Sequence, residues 1–356
     1  MPDLVQVINN AEIVKYLARQ NDLASQEPVS YMGDVLFPNV KTDALEIEYI
    51  IGGNGLPVSA SIHADDTEAQ LGSREGWETS MATIALIKRK MEVKESEILK
   101  LRNPRNKTEE LRLIRDRYND VDILTKSVKV RVEAMKMELV ATGKLDINEN
   151  GYKASVDYGV PAEQNIVLAG TGALDSPWTA ATADPIQQIQ SWVDILAGKG
   201  IIPKYILTAA SNVTAVRNNA TVRKLINGDA NASKIVTVDT LNDYLSSLKL
   251  PTFVTYEAQY NVETRSGGKK VLTPKRFYRE DRVTLLPEGP LGYGYWGPTA
   301  EESLLTEDPS VDVSKIGNIV ASVYREIDPP KFFTKAVARF MPSFEQAANI
   351  LIAKVR

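Results

Sequence analysis

The feature that most limits the folds open to this chain is a long apolar stripe at helical spacing. From Leu111, the positions Ile114, Tyr118, Val121, Thr125, Val128, Val132, Met135 and Leu139 follow at intervals of three and four, and only Thr125 is off type. Residues so spaced line one side of an α-helix. The pattern predicts a helix of about 30 residues, roughly 45 Å long. Asn106 with Glu109 resembles a capping box, and Gly143 is a natural C-terminal stop. Such a stripe needs a cover. A coiled-coil partner and a sheet crossed by the helix give the same pattern, so both stay open at this stage.

Residues 1–42 are polar and mixed, with a short helix plausible from Asn9 to Arg19; they read as an arm. Leu45–Ile51 alternates partly like a strand, Gly52-Gly53-Asn54-Gly55 is turn chemistry, and Ser80–Val93 holds a second strand-like run. Residues 43–92 therefore predict a long two-stranded excursion with a polar tip. After residue 160 the texture becomes α/β. Asn165–Ala169 and Tyr205–Thr208 are strand candidates, and Asp184-Pro185 is an N-cap and N1 pair opening a helix to Gly198. Further helices are expected from Ser211 to Leu225 and from Asp239 to Leu248. Thr252–Val262 and Lys270–Tyr278 flank Ser266-Gly267-Gly268 as a hairpin; Phe332–Phe340 and Asn349–Val355 read as closing strands. No internal repeat is visible.

The chemistry the residues permit is narrow. The 356 residues include no cysteine and one histidine, His63, so disulfides, thiolate sites and His-based triads have no material. No G-x-S-x-G elbow occurs, and Gly170-Thr171-Gly172 lacks the third glycine of a dinucleotide loop, position 175 being Asp175. The N-terminus has no signal-peptide pattern, so the sequons at Asn106, Asn212, Asn219 and Asn231 read as chance matches. No stretch approaches a membrane span. A net charge of −4 and a pI near 5.4 argue against a protein whose main task is gripping nucleic acid. Against that acidic background, Lys88–Arg117 carries a net +5. It is either a solvated face or an electrostatic contact with another subunit or with DNA.

The order of parts resembles the Hong Kong 97-type phage capsid fold, and in detail the phage lambda major capsid protein E family. The residues that carry the resemblance begin with Glu133–Leu139 running into Ala141-Thr142-Gly143-Lys144, then Val156–Pro161, and Trp178 ahead of Asp184-Pro185-Ile186. Leu285-Leu286-Pro287 to Gly292 and Phe340-Met341-Pro342 to Ile350-Leu351-Ile352 complete them. The resemblance implies an α+β subunit: an N-terminal arm (1–42), an extended β-hairpin loop (43–92), a peripheral domain with a long spine helix (93–160), an axial α/β domain (161–320) and returning peripheral strands (321–356).

It further implies a non-enzymatic coat protein without cofactors, assembled in the host bacterial cytoplasm and located in the virion. Expected partners are copies of itself in hexamers and pentamers, a separate scaffolding protein, a portal, a decoration protein as an option, and packaged double-stranded DNA held non-specifically; no membrane is involved. An encapsulin-like nanocompartment shell and an α/β enzyme are the alternatives. Candidate interface residues are Asp65, Asp66, Glu68 and Trp77 on the excursion, with Lys88, Arg89, Arg102, Arg105 and Arg112 in the basic run. The acidic groups Asp65, Asp66 and Glu68, and Glu301, Glu302, Glu307 and Asp308, are expected to meet that run on a neighbouring subunit.

Overall fold

The computed structural model describes residues 31–51, 78–93, 99, 107–266, 269–304, 312–326 and 331–356; the expected helix at 9–19, His63 and the 52–55 turn lie outside them. A short helix α1 (Met32–Leu36) leads into β1 (Asn39–Lys41). β2 (Glu46–Ile51) and β3 (Glu78–Thr83) form a two-stranded sheet, and β4 (Ala85–Val93) follows. The single run expected from Ser80 to Val93 is thus two strands. Ile84 and Ala85 are both buried, which breaks the alternation, and Ile84 N–H donates to Leu45 O at 2.9 Å.

Helix α2 (Lys107–Thr142) realises the stripe as 36 residues. It stops where expected: Gly143 adopts φ +70, and a Cβ there would lie 2.4 Å from Val160 Cγ2. β5 (Lys144–Glu149) and β6 (Tyr152–Asp157) form a hairpin through Asn150 (φ 49) and Gly151 (φ 83). β7 (Asn165–Val167) precedes α3 (Pro185–Ala197), whose cap Asp184 accepts from Gln187 N–H at 3.2 Å. After β8 (Tyr205–Thr208), the helix expected from Ser211 to Leu225 is two helices, α4 (Ala210–Asn218) and α5 (Ala220–Asn227). Asn219 divides them. Its backbone is extended, its Oδ1 caps Thr221 and Val222, and its Nδ2 donates to Ala183 O at 2.8 Å.

α6 (Val238–Ser247) and β9 (Thr252–Thr255) follow, then the paired β10 (Gln259–Ser266) and β11 (Lys269–Arg276), and β12 (Arg282–Leu286). The chain ends through β13 (Gly294–Gly297), α7 (Ala300–Leu304), β14 (Asp312–Ile316), β15 (Ile319–Glu326), β16 (Lys331–Pro342) and β17 (Leu351–Lys354). The architecture is α+β.

Two compact units emerge. The first gathers the described residues of Met1–Ile47, Met81–Glu133 and Tyr293–Ser343. Its sheet runs β1-β13-β16-β15-β14, with β4 on the opposite side of β16. Near-continuous burial along the twelve residues of β16, with none exposed, fits a central strand covered on both faces. Val121, Leu124 and Val128 of α2 are buried in this unit, Val128 to 1% exposure.

The second unit gathers the described residues of Glu48–Ser80, Ala134–Gly292 and Phe344–Arg356. Its sheet runs β7-β17-β12-β8-β9, so the final strand joins this sheet and not the one containing β16. The 321–356 segment is therefore divided: β15 and β16 belong to unit one, β17 to unit two. Likewise β13 and β14 fall in unit one, outside the 161–320 grouping. Trp178 and Trp192 stack at 6.0 Å in the core, with Phe253 edge-on. The buried Gln188 satisfies itself by accepting from Trp178 Nε1 and donating to Ala173 O and Ser176 O. Tyr278 O–H donates to Thr284 Oγ1, whose proton goes to Val140 O, joining the end of α2 to β12. Burial pushes the Tyr278 hydroxyl's pKa up.

Lys126 and Lys129 face outward as the stripe predicts, but Lys136 is fully buried. Around it Ala134, Met137, Val140 and Ala141 are buried too, leaving no solvent side at that end of the helix. Replacing Val128 with Asp should lower unfolding stability by several kcal/mol, since it sets an unpaired charge in a dry core. An unchanged melting temperature of the purified subunit would contradict this placement.

Candidate subunit-interface surfaces

β4 carries the described part of the basic run. It is an edge strand, paired only with β16 among the described residues, with Lys88 opposite Val337 and Arg89 opposite Ala336. Ala85 and Val93 are buried at its ends, while Lys88, Arg89 and Lys90 are exposed in between. Consecutive cations on a sheet edge discourage indiscriminate strand pairing.

Much of this charge is answered within the chain. Glu301 in α7 lies with Oε1 2.5 Å from Lys335 Nζ and 3.5 Å from Lys88 Nζ. Glu302 lies 3.3 Å from Lys41, and Glu92 2.9 Å from Lys331. Lys90 Nζ sits 4.5 Å above the Phe333 ring, which itself stacks on Tyr324. The expectation that Glu301 and Glu302 serve a neighbouring subunit is corrected accordingly. α7 packs against β15, and its Glu301 side chain, only 15% exposed, reaches Lys335 on β16 and needs that cation close at hand. Burial alone would raise the Glu301 pKa, but the Lys335 hydrogen bond, its own backbone N–H and the charges of Lys335 and Lys88 together hold it below its ordinary value.

Of the expected interface residues, Lys88 and Arg89 come together on β4, and Arg112 lies on α2. Asp65, Asp66, Glu68, Trp77, Arg102 and Arg105, with Glu307 and Asp308, lie outside the described residues. Sequence reasoning missed the cations on the β10–β11 ribbon. Lys269, Lys270, Lys275 and Arg276 fall within eight residues there, a cluster as dense as the one on β4. Among the described residues, no three His, Asp or Glu side chains are placed to hold a metal ion, and no helix is long and apolar enough to cross a membrane.

A long helix bounded by Gly143, a sheet centred on β16 and a second mixed α/β unit together make the fold of a phage capsid subunit of the Hong Kong 97 type. A proposed capsid protein of an E. coli CFT073 prophage superposes with a TM-score of 0.60 at 16% identity, over 98% of this chain and 99% of that one. A phage-related protein from Bordetella bronchiseptica RB50 gives 0.52 at 12% identity, over 97% and 96%. The profile of the phage major capsid protein E family matches residues 19–355, and the chain belongs to that family. No curated protein matches it in sequence.

The Glu301 geometry makes a signed prediction. A carboxylate whose folded pKa is depressed stabilises the fold above its unfolded value and loses that contribution as pH falls through the folded one. Glu301→Gln should therefore cost about 1 kcal/mol at pH 7. The gap from wild type should close as the pH drops below 4.5, the ordinary value. Denaturant melts at both pH values read this out; a gap that grows in acid would refute the clamp.

Proposed function

We propose that copies of this chain close into hexamers and pentamers that build an icosahedral head around double-stranded DNA, guided by a separate scaffolding protein and joined to a portal. Membership of the major capsid protein E family over residues 19–355 carries this reading. In it, residues 1–42 act as an arm, 43–92 as the loop that lies on a neighbouring subunit, and the units containing β16 and β12 as peripheral and axial domains. The β2–β3 pair supports the loop assignment, because a two-stranded sheet is marginal in water without a further surface. The basic run, with Arg102, Arg105 and Arg112, supplies the register between subunits or toward DNA.

Electron microscopy of the purified protein, with and without co-expressed scaffold, should show closed shells, and monomers under every condition would defeat the reading. Reversing Arg102, Arg105 and Arg112 together to Glu should block assembly while leaving the subunit folded. Wild-type assembly should weaken with salt as the Debye length falls from about 10 Å at 0.1 M to about 3 Å at 1 M. Normal shells from the triple variant would make the run a solvated face. Amide exchange at Glu46–Ile51 and Glu78–Thr83 should be fast in free subunits and slow in shells. Equal protection in both would remove the partner-dependent loop.

A further inference from the structure

Asparagine is a thermally labile residue, and one followed by glycine carries its own nucleophile. The glycine backbone nitrogen can close on the asparagine Cγ, with no Cβ to hinder the approach. The chain has such pairs at 54–55, 150–151 and 227–228, and the first lies outside the described residues. The other two are alike in sequence and opposite in setting, so the fold decides between them.

Asn227-Gly228 is tied at both reacting groups. Asn227 ends α5, and the Gly228 N–H donates to Lys224 O at 2.9 Å. The Asn227 Nδ2 donates to Lys234 O at 3.1 Å. Nucleophile and leaving group are thus both engaged, and a reaction between them must first unwind the end of the helix.

Asn150-Gly151 is untied at both. The pair makes the two-residue turn of the β5–β6 hairpin, at φ 49 and φ 83, between Glu149 and Tyr152, which face each other across the ladder. Positive φ at both residues is the turn that Asn-Gly favours. Neither the Asn150 side chain nor the Gly151 N–H makes a hydrogen bond among the described residues. Every residue from Asn148 to Lys153 is exposed, and β5 and β6 pair only with each other among the described residues. A two-stranded tip with no covering layer opens locally at little cost, and that opening lets the nitrogen swing onto Cγ.

We propose that Asn150-Gly151 is a site of spontaneous deamidation, and that the native fold leaves this pair reactive while it protects Asn227-Gly228. The Gly151 nitrogen gives up its proton to base and bonds to Asn150 Cγ. The Cγ–Nδ2 bond then breaks, and the nitrogen leaves as ammonia with a proton taken from water. Water opens the resulting succinimide. Cleavage between the nitrogen and Cγ gives aspartate; cleavage between the nitrogen and the Asn150 carbonyl carbon gives isoaspartate, with the chain routed through Cγ. Either product sets a new carboxylate beside Glu149, and isoaspartate lengthens the turn by a methylene, so Glu149 and Tyr152 no longer align. The damage stays at the tip. Leu145, Ile147 and Val156 are buried beneath it, and Tyr158 N–H donates to Gly143 O at 3.2 Å at the base of the hairpin. This inference does not depend on the coat-protein reading.

The test follows the full-length protein at mildly alkaline pH, native and in denaturant, by mass spectrometry of the peptides holding each pair. In the native protein Asn150 should convert about tenfold or more faster than Asn227, because only its turn opens readily. In denaturant the two should convert at similar rates. The aged native protein should keep its melting temperature and show faster amide exchange at Tyr152. Equal native rates at Asn150 and Asn227 would overturn the proposal. So would an Asn150 that stays intact while the denatured chain converts, or a preference for Asn150 that persists unchanged in denaturant.

Discussion

A helix of 36 residues with one continuous apolar side cannot remain exposed, and the rest of the subunit depends on covering it. α2 is about 54 Å long at 1.5 Å per residue, more than one small core can enclose. The chain divides the task. Val121, Leu124 and Val128 are buried in unit one, while Met135, Leu139 and Val140 are buried in unit two, and the division falls between Glu133 and Ala134. That position is also where the helix changes character. Up to Lys129 it keeps solvent-facing lysines, whereas beyond Val132 nearly every position is buried, Lys136 included. Both sheets are discontinuous in sequence for a related reason. β4 and β16 are far apart along the chain, as are β8 and β17, so each core closes only after the C-terminal strands arrive.

What the sequence made legible was local. The 3-4 spacing located α2, Asp184-Pro185 marked the start of α3, and Gly143 its predecessor's end, because each is a short-range steric or hydrogen-bonding rule. Asn150-Gly151 is an equally strong two-residue turn signal, yet the β5–β6 hairpin lay outside the expected elements, because its strands are exposed at most positions and carry little apolar alternation. What could not be read was tertiary. Nothing in Val213–Leu225 announces that Asn219 leaves the helix, since its side chain is drawn off by Ala183, 36 residues away. Nor does Asn349–Val355 declare which sheet it joins; a short apolar strand fits either until its neighbours are known.

The candidate interface was legible as composition but not as partnership. Counting charges found the basic run and the acidic groups around Glu301, and charge alone suggested contact between subunits. Geometry decides otherwise for Glu301 and Glu302, which are held within the subunit by Lys88, Lys335 and Lys41. A count carries no information about which of several cations lies within 4 Å, and that distance determines whether a carboxylate is a structural clamp or a free contact.

The ion pairs divide into two kinds, and the division bears on how such a subunit is spent. In unit two, Asp157 is held below its ordinary pKa chiefly by the Lys144 hydrogen bond, against the cost of burial. For Asp281 burial is the larger influence and pushes upward, but Arg279, Arg282 and a backbone N–H outweigh it. With Glu301 in unit one, these are carboxylates whose attraction is already consumed in holding hairpins and strands together; all three contributions persist at neutral pH and fade only in acid. Charges that stabilise the fold in this way have little left to offer a neighbour. Other carboxylates differ: Asp239 and Asp243 on α6 are exposed and take no ion pair among the described residues. Ion pairs of the first kind therefore weaken in acid, whereas an exposed carboxylate without a cation adds only to a surface charge that salt screens.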